Sequence, residues 1–189
     1  MDSRDLLRAP RDLLTPRLRL EAPRIAHAQP FVDGLNASLP DLRFIAWGQK
    51  AREPAWALDF VAWERAWVER GEGLAYHAFE CAGGAYVGRI DLHSWDFEAP
   101  RCEVGYVGDS RRAGRGLMRE AVLAVVALGF ELGLARIQAL SEADNARALH
   151  FAEHALGFTR EGVLRNYERD AQGRLGLQVM FAAYAADAS

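Results

Sequence analysis

From Leu18 the chain reads LRLEAP, an alternation of apolar and polar side chains with the period of a half-buried strand. The pattern then changes to helical spacing over residues 24–39, with Ile25, Phe31, Val32 and Leu35 apolar and Pro40 as the stop. Residues 41–54 have no period, although they carry Phe44, Ile45 and Trp47. A second helix is predicted over 54–70, because proline suits a first turn and Gly71 and Gly73 end the run. Within it Trp56, Phe60, Trp63 and Trp67 follow at spacings of four, three and four. They share one helix face, which reads as an aromatic core stripe.

Strand-like runs come next. LAYHAFECA and AYVGRIDLHSW flank Gly83-Gly84, a good signal for a tight hairpin. RCEVGYVGD, residues 101–109, follows a polar loop containing Pro100. A long apolar helix begins after Gly116 and is expected to end near Leu132, with Gly133 as its cap. Residues 135–143 read as a strand and 145–156 as a helix ended by Gly157. TREGVLRNYERD and GRLGLQVMFAA close the chain as a hairpin turning at 171–173. The order predicts one α/β (α+β) domain, a mixed and mostly antiparallel seven-stranded sheet with helices on both faces. The domain spans 14–186, and residues 1–13 form an N-terminal extension.

Composition narrows the classes. At 189 residues, 50% hydrophobic and 26% charged, the chain is globular and long enough to bury a real core. A net charge of −3 carries no overall nucleic-acid signature, so any anion site must come from local arrangement. Cys81 and Cys102 make no disulfide framework and lack zinc-ligand spacing, so no metal is expected. They read as small apolar filler in a reducing compartment. The N-terminus mixes Asp and Arg, unlike a secretory signal, and the longest apolar run, 121–130, is too short to span a bilayer. The expectation is a cytoplasmic protein with neither membrane nor nucleic acid as partner.

The densest chemistry lies in RRAGRGLMREAVLAVVALGF, residues 111–130. A helix N-terminus leaves its first N–H groups unpartnered and carries partial positive charge. Gly114 and Gly116 allow a sharp turn and the approach of an anion without Cβ obstruction. Arg111, Arg112 and Arg115 add full charges, and together these features describe a pyrophosphate cradle. The Lys-Ser/Thr ending of a nucleoside-triphosphate loop is missing, and so is the G-x-G-x-x-G of dinucleotide folds. A tight turn with solvated arginines is the competing reading of the same residues.

Arg111-x-x-Gly114-x-Gly116, after EVGYVGD and before the apolar helix, resembles the acetyl-CoA loop of the GCN5-related N-acetyltransferases. RIQALSEADNARALHFAEHALGFTREGVLR is similar to that superfamily's later segment: a strand, an Asn opening a helix, then Leu-Gly-Phe and Glu-Gly. LTPRLRLEAP and EVGY resemble the branch that includes the ribosomal-protein N-terminal alanine and serine acetyltransferases. The resemblance covers about residues 14–183. It implies an acetyl-CoA-dependent N-acetyltransferase acting on a primary amine by direct attack, with a protein N-terminal α-amine as acceptor. The alternatives are a small amine (polyamine, amino acid or aminoglycoside) as acceptor, or a degenerate acetyl-CoA-binding module. A homodimer is left open.

The resemblance also implies roles. The central parallel strands, 103–108 and 136–141, would splay and admit the pantetheine arm, with Tyr106 and Val107 as contacts. The amides of Arg112, Ala113, Gly114, Arg115 and Gly116 would hold the pyrophosphate, and Asn145 would contact the cofactor or cap its helix. Glu103 is the expected base, although a Glu at a strand start is often a surface group. Asp91 and His93 are second choices on the substrate side, and Trp47 is the expected acceptor wall. Where the branch commonly has a serine to protonate the leaving thiolate, this chain has Ala148, and Phe151 and Ala152 stand where other members have a tyrosine. Ser141 and Tyr167 are the substitutes to consider. One extra residue before Leu156-Gly157-Phe158 predicts a bulge or register shift at that helix end.

Overall fold

In the computed structural model, which describes residues 2–45, 50–169 and 173–186, the alternating segments become strands of one sheet. They are β1 (Asp12–Leu14), β2 (Leu18–Glu21), β3 (Leu74–Glu80), β4 (Tyr86–Asp96), β5 (Arg101–Gly108), β6 (Arg136–Glu142), β7 (Thr159–Arg169) and β8 (Leu175–Tyr184). Their spatial order is β1-β2-β3-β4-β5-β6-β8-β7, and β5–β6 is the parallel pair among antiparallel neighbours. The sheet is mixed and mostly antiparallel, as expected, but has eight strands rather than seven.

The additional strand is β1, whose three residues pair with Arg19 to Glu21. So short a piece shows no periodicity. Its pairing is set by the turn before β2, where the Thr15 N–H donates to the Leu18 carbonyl at 2.9 Å and the Leu18 N–H donates to Thr15 Oγ1 at 3.0 Å. Ahead of it a short helix, α1 (Ser3–Arg8), starts with Asp2 accepting from the Arg4 N–H at 2.7 Å. Leu6 and Ala9 reach the main core, and the Tyr76 hydroxyl donates to the Pro10 carbonyl at 2.6 Å.

The helices are α2 (Ala28–Ala37), α3 (Pro54–Glu69), α4 (Leu117–Glu131) and α5 (Ala146–His150). Strand alternation divides the apolar residues into two cores. Leu74, Tyr76, Val104, Ile137 and Phe181 pack with the α4 residues Ala121, Val122 and Val125. Phe79, Tyr86 and Val107 pack with Phe31, Val32 and Leu35 of α2 and Ala57 and Val61 of α3.

Two helix expectations meet different outcomes. The extra residue ahead of Leu156 is absorbed by a wider turn over Phe151–Ala155, in which the Leu156 N–H reaches the Phe151 carbonyl five residues back, at 2.9 Å. The tryptophan stripe of α3, however, is core at one end only: Trp56 and Phe60 pack on the buried Phe31 of α2, and beyond them the stripe leaves the core. The buried positions are Ala57, Val61, Glu64 and Val68, and Trp63 is 53% exposed. Periodicity locates a face but cannot say which of two adjacent stripes the sheet covers. Cys102 is buried filler, as expected, whereas Cys81 is exposed.

Leu6 is 2% exposed. The Leu6→Ala variant is expected to lose about 3 kcal/mol of stability, lowering the melting temperature by roughly 6–12 °C for a chain of this size. A shift below about 2 °C in a thermal melt would show that the core does not hold α1.

Candidate active site

The site starts from a missing ladder. β5 and β6 pair over three positions only, Arg101–Arg136, Cys102–Ile137 and Glu103–Gln138. Beyond these both strands continue, β5 to Gly108 and β6 to Glu142, with a cavity between and below them. Each strand stays bound on its other side, β5 to β4 as far as Gly108 and β6 to β8 over seven positions. At one end of β5 the Pro100 carbonyl accepts from the Arg136 N–H, and at the other the Asp109 N–H donates to the Val87 carbonyl on β4. Alternation along the strand therefore turns the amides of Val104 and Tyr106 toward the gap.

Next to the gap lies the loop from β5 to α4. Asp109, 3% exposed, accepts from the Arg111 N–H at 2.9 Å and caps a single turn over Ser110–Arg112. The buried Ser38 hydroxyl ties this turn to α2: it accepts from the Ser110 N–H at 2.8 Å and donates to the Gly34 carbonyl at 2.7 Å. The turn uses two of the amides expected to face an anion. The Arg112 N–H donates to Asp109 and the Ala113 N–H to Ser110. The N–H groups of Gly114, Arg115 and Gly116 have no acceptor among the described residues, and the first N–H groups of α4 lie beyond them. Gly114 and Gly116 have φ of +75° and +71°, and a Cβ at Gly114 would meet nothing within 4 Å.

The arginines differ from the expectation of free charges. Arg111 forms a forked pair with Asp109, with its Nη2 2.5 Å from Oδ2. Arg115 grips both oxygens of Glu80 at 2.8 Å, and Arg112 lies 3.7 Å from the same carboxylate. Arg17 pairs with Glu120 at 2.6 Å and caps the carbonyl of Arg115 at 2.9 Å. Positive potential at the helix mouth is therefore supplied mainly by backbone amides.

On the α2/α3 face the cavity reaches a row of charged side chains. Glu103 stands opposite His93 in the ladder, and Gly105 stands opposite Asp91. His93 Nε2 is 3.6 Å from Glu103 Oε1, and its Nδ1 makes an ion-pair contact with Asp91 Oδ2 at 2.7 Å. Arg89 donates through Nη1 to Asp91 and through Nε to Glu64, whose other oxygen is 2.8 Å from His77 Nε2. Burial alone would raise the carboxyls of Glu64 and Asp91, but Arg89 and the neighbouring histidines hold both below the ordinary range. Burial pulls the His93 imidazole down; the contacts with Asp91 and Glu103 outweigh it and push its pKa up to about 9. Burial pushes the Tyr106 phenol up to about 12, so it stays neutral.

The cavity measures about 600 Å³. It brings together Glu103, Asp91, His93, Tyr106, Val107 and Asn145 from the expected set. Asn145 also caps α5, accepting from the Ala148 N–H at 3.1 Å, so contact and capping coexist. Ala148 and Ser141 line the same space, whereas Tyr167 is 54% exposed and not on the lining. Trp47 lies outside the described residues. Among the described residues the aromatic wall comes from Phe44, Phe60, Trp63 and Trp67, with the Trp63 and Trp67 rings stacked at 5.9 Å. Sequence reasoning missed Glu64 and Arg89, since nothing in the pattern marks a polar residue on a helix or strand as buried. It also missed Gly105, where a Cβ would lie 2.7 Å from Asp91 Oδ1.

The acetyltransferase (GNAT) domain family matches residues 17–159. Uncharacterized N-acetyltransferase p20 of Bacillus licheniformis is 36% identical over 97 residues, which are 51% of this chain and 53% of p20. The match thus spans about half the length of that curated relative. Among solved structures, the microcin C7 self immunity acetyltransferase MccE, in complex with acetyl-CoA and AMP, matches with a TM-score of 0.81 at 17% identity, over 90% of this chain and 93% of its own. RimL, a ribosomal L7/L12 alpha-N-protein acetyltransferase in complex with coenzyme A, matches with a TM-score of 0.79 at 20% identity, over 93% of this chain and 97% of its own. At such identities the two structures speak for the fold, while the domain match covers most of the chain: the protein belongs to the acetyltransferase (GNAT) family.

Proposed function

We propose that this protein is an acetyl-CoA-dependent N-acetyltransferase that modifies a primary amine by direct attack, without an acyl-enzyme. The observation that carries the reading is the β5–β6 gap, which opens after three paired positions beside a helix mouth with open amides. The residues fit the group. Amides of Val104 and Tyr106 face the gap and can pair with an amide-bearing arm, while Gly114, Arg115, Gly116 and the first turn of α4 offer N–H groups to a diphosphate. Arg111, Arg112 and Ala113 shape that cradle rather than donate their amides to it. Val107 and Asn145 line the cavity and complete the set of contacts. When bound, acetyl-CoA supplies the acetyl thioester.

The chain's own residues then have separate tasks. The Tyr106 N–H stabilises negative charge on a carbonyl oxygen in the gap. Glu103, 20% exposed on the cavity wall, takes the proton that an α-amine, with a pKa of about 8, must lose before it attacks. Trp63 and Trp67 form the acceptor wall together with Phe44, and His93 and Asp91 close its polar end. Ala148 leaves the α5 side without a proton donor, so a thiol of pKa about 8.5 departs as thiolate and is protonated by water. The acceptor is a protein N-terminal α-amine; a fold shared with a ribosomal-protein acetyltransferase supports that choice. Among the described residues no helix is long and apolar enough to cross a membrane, in keeping with work in the cytoplasm.

Calorimetry tests the cradle. Coenzyme A is expected to bind the wild type, and Gly114→Val to weaken it at least tenfold, because a branched side chain is strained at φ +75° and obstructs the anion. Equal affinity of the two proteins would refute the cradle. Thiol release on peptides beginning with Ala or Ser, set beside a polyamine, an amino acid and an aminoglycoside, assigns the acceptor. Binding without turnover on any of them means a degenerate module. With the best amine, Glu103→Gln is expected to lower kcat by about a hundredfold or more at unchanged KM for acetyl-CoA. Equal turnover removes Glu103 as the base.

A further inference from the structure

Behind Glu103 the charged row continues into the protein much further than a general base requires. Glu64 and His77 are 0% exposed, and Arg89 and Asp91 are 8% and 7%. Burying charges is costly even when they are paired, and apolar residues of similar volume commonly serve a core as well or better. Stability is therefore a poor reason for this arrangement. Its geometry offers another one.

The row is built by the register of three strands and one helix. His77 on β3 stands opposite Arg89 on β4, and His93 on β4 stands opposite Glu103 on β5. Arg89, Asp91 and His93 alternate along β4 and so share a face. Glu64 enters from the buried side of α3 and binds the Arg89 Nε. The guanidinium is thus held from behind and points its Nη1 at Asp91. Gly105 provides room on that side, since its missing side chain is where the Asp91 carboxylate lies. The other Asp91 oxygen is 2.7 Å from His93, which faces Glu103 through its second nitrogen. Charges alternate along the whole line, from Glu64 through Arg89, Asp91 and His93 to Glu103.

We propose that Glu64 and Arg89 are positioning residues for the transfer reaction: acting through Asp91, they hold the His93 imidazolium against Glu103 and so aim that carboxylate into the cavity. This rests on the reading of Glu103 as the base. A lysine could not replace Arg89, because one ammonium does not offer two fixed N–H directions to two carboxylates.

The pH dependence follows in sign. His93 has a raised pKa, so its grip on Glu103 is complete below the ordinary imidazole value of about 6.5 and is lost as pH rises through about 9. The charged groups facing His93 are Asp91 on its own strand and Glu103 on β5. Through these it senses Arg89 and, from α3, Glu64. From β6 the neutral Gln138 donates to Glu103 at 3.5 Å, and Glu142, Glu168 and Arg169 line the same cavity.

The test joins histidine NMR to steady-state kinetics on the full chain. The His93 ring, assigned by its loss in His93→Gln, is expected to titrate near 9 in the wild type and at least a unit lower in Asp91→Asn. Titration of wild-type His93 near 6.5 overturns the proposal. In turnover, Glu64→Gln and His93→Gln are each expected to lower kcat about tenfold or more at unchanged KM for acetyl-CoA. His93→Gln should also abolish the loss of kcat above pH 9, a loss that titration of the amine cannot mimic because deprotonation makes the amine the better nucleophile. His93 is partly exposed, so that variant keeps the test standing if Glu64→Gln does not fold. If Glu103→Gln is impaired while His93→Gln keeps wild-type kcat and pH profile, the row is structural and the positioning role is wrong. If Glu103→Gln turns over like the wild type, the base assignment fails first, and the row loses its purpose with it.

Discussion

A backbone amide withdrawn from water needs a partner, and the centre of this sheet leaves several amides without one in the strand beside them. What makes that arrangement tolerable is that neither strand is loose. β5 remains fastened to β4 up to Gly108, and β6 remains fastened to β8 from Arg136 to Glu142. The inner edges part while the outer edges stay in register. The result is a slot with fixed walls, lined on one side by main-chain groups whose direction follows from simple alternation. Its floor is also built: the Tyr106 ring meets the Phe151 ring edge-on at 5.3 Å, where the widened turn after α5 begins. An extended ligand carrying amides is the natural complement of such a slot.

The electrostatics around the slot are more balanced than the sequence suggests. Each arginine of the loop faces a carboxylate: Asp109 for Arg111, and Glu80, which Arg112 and Arg115 share. In each pair the arginine is partly exposed while its carboxylate is largely covered. Their effect is to fix the loop's shape while leaving the helix mouth and its amides uncovered. On the opposite face the charges are buried and ordered in a line, where desolvation makes each contact matter more. One ligand surface is therefore backbone and preformed, and the other is side chain and held by a chain of neighbours.

The elements were largely legible in the sequence because periodicity and punctuation agree. Gly133 ends α4 with φ +103°, Gly83 and Gly84 turn the β3–β4 hairpin at positive φ, and the surplus residue before Leu156 became a wide turn. Glu103, Asp91 and His93 were singled out and do converge on the cavity. What stayed hidden has a common cause. Glu64 shares a helix with the solvent-facing Arg65 and Glu69, and nothing local separates a buried carboxylate from an exposed one. The row through Arg89 depends on cross-strand register, which only the assembled sheet defines. The tryptophans were read as core because a stripe at helical spacing looks the same whether it faces a sheet or a cavity.

Ser38 ties these surfaces together in a way that neither shows alone. Its hydroxyl joins the last turn of α2 to the first amide after Asp109, and the neighbouring Ser110 hydroxyl returns the link by donating to the Ala37 carbonyl at 3.1 Å. One end of this rivet belongs to α2, whose Phe31 stacks on Phe60 of the cavity's aromatic wall, the other to the loop beside the helix mouth. An outward shift of α2 would drag the turn over Ser110–Arg112 with it. The aromatic wall and the helix mouth are therefore not independent parts of this fold; a pair of serine hydroxyls couples them.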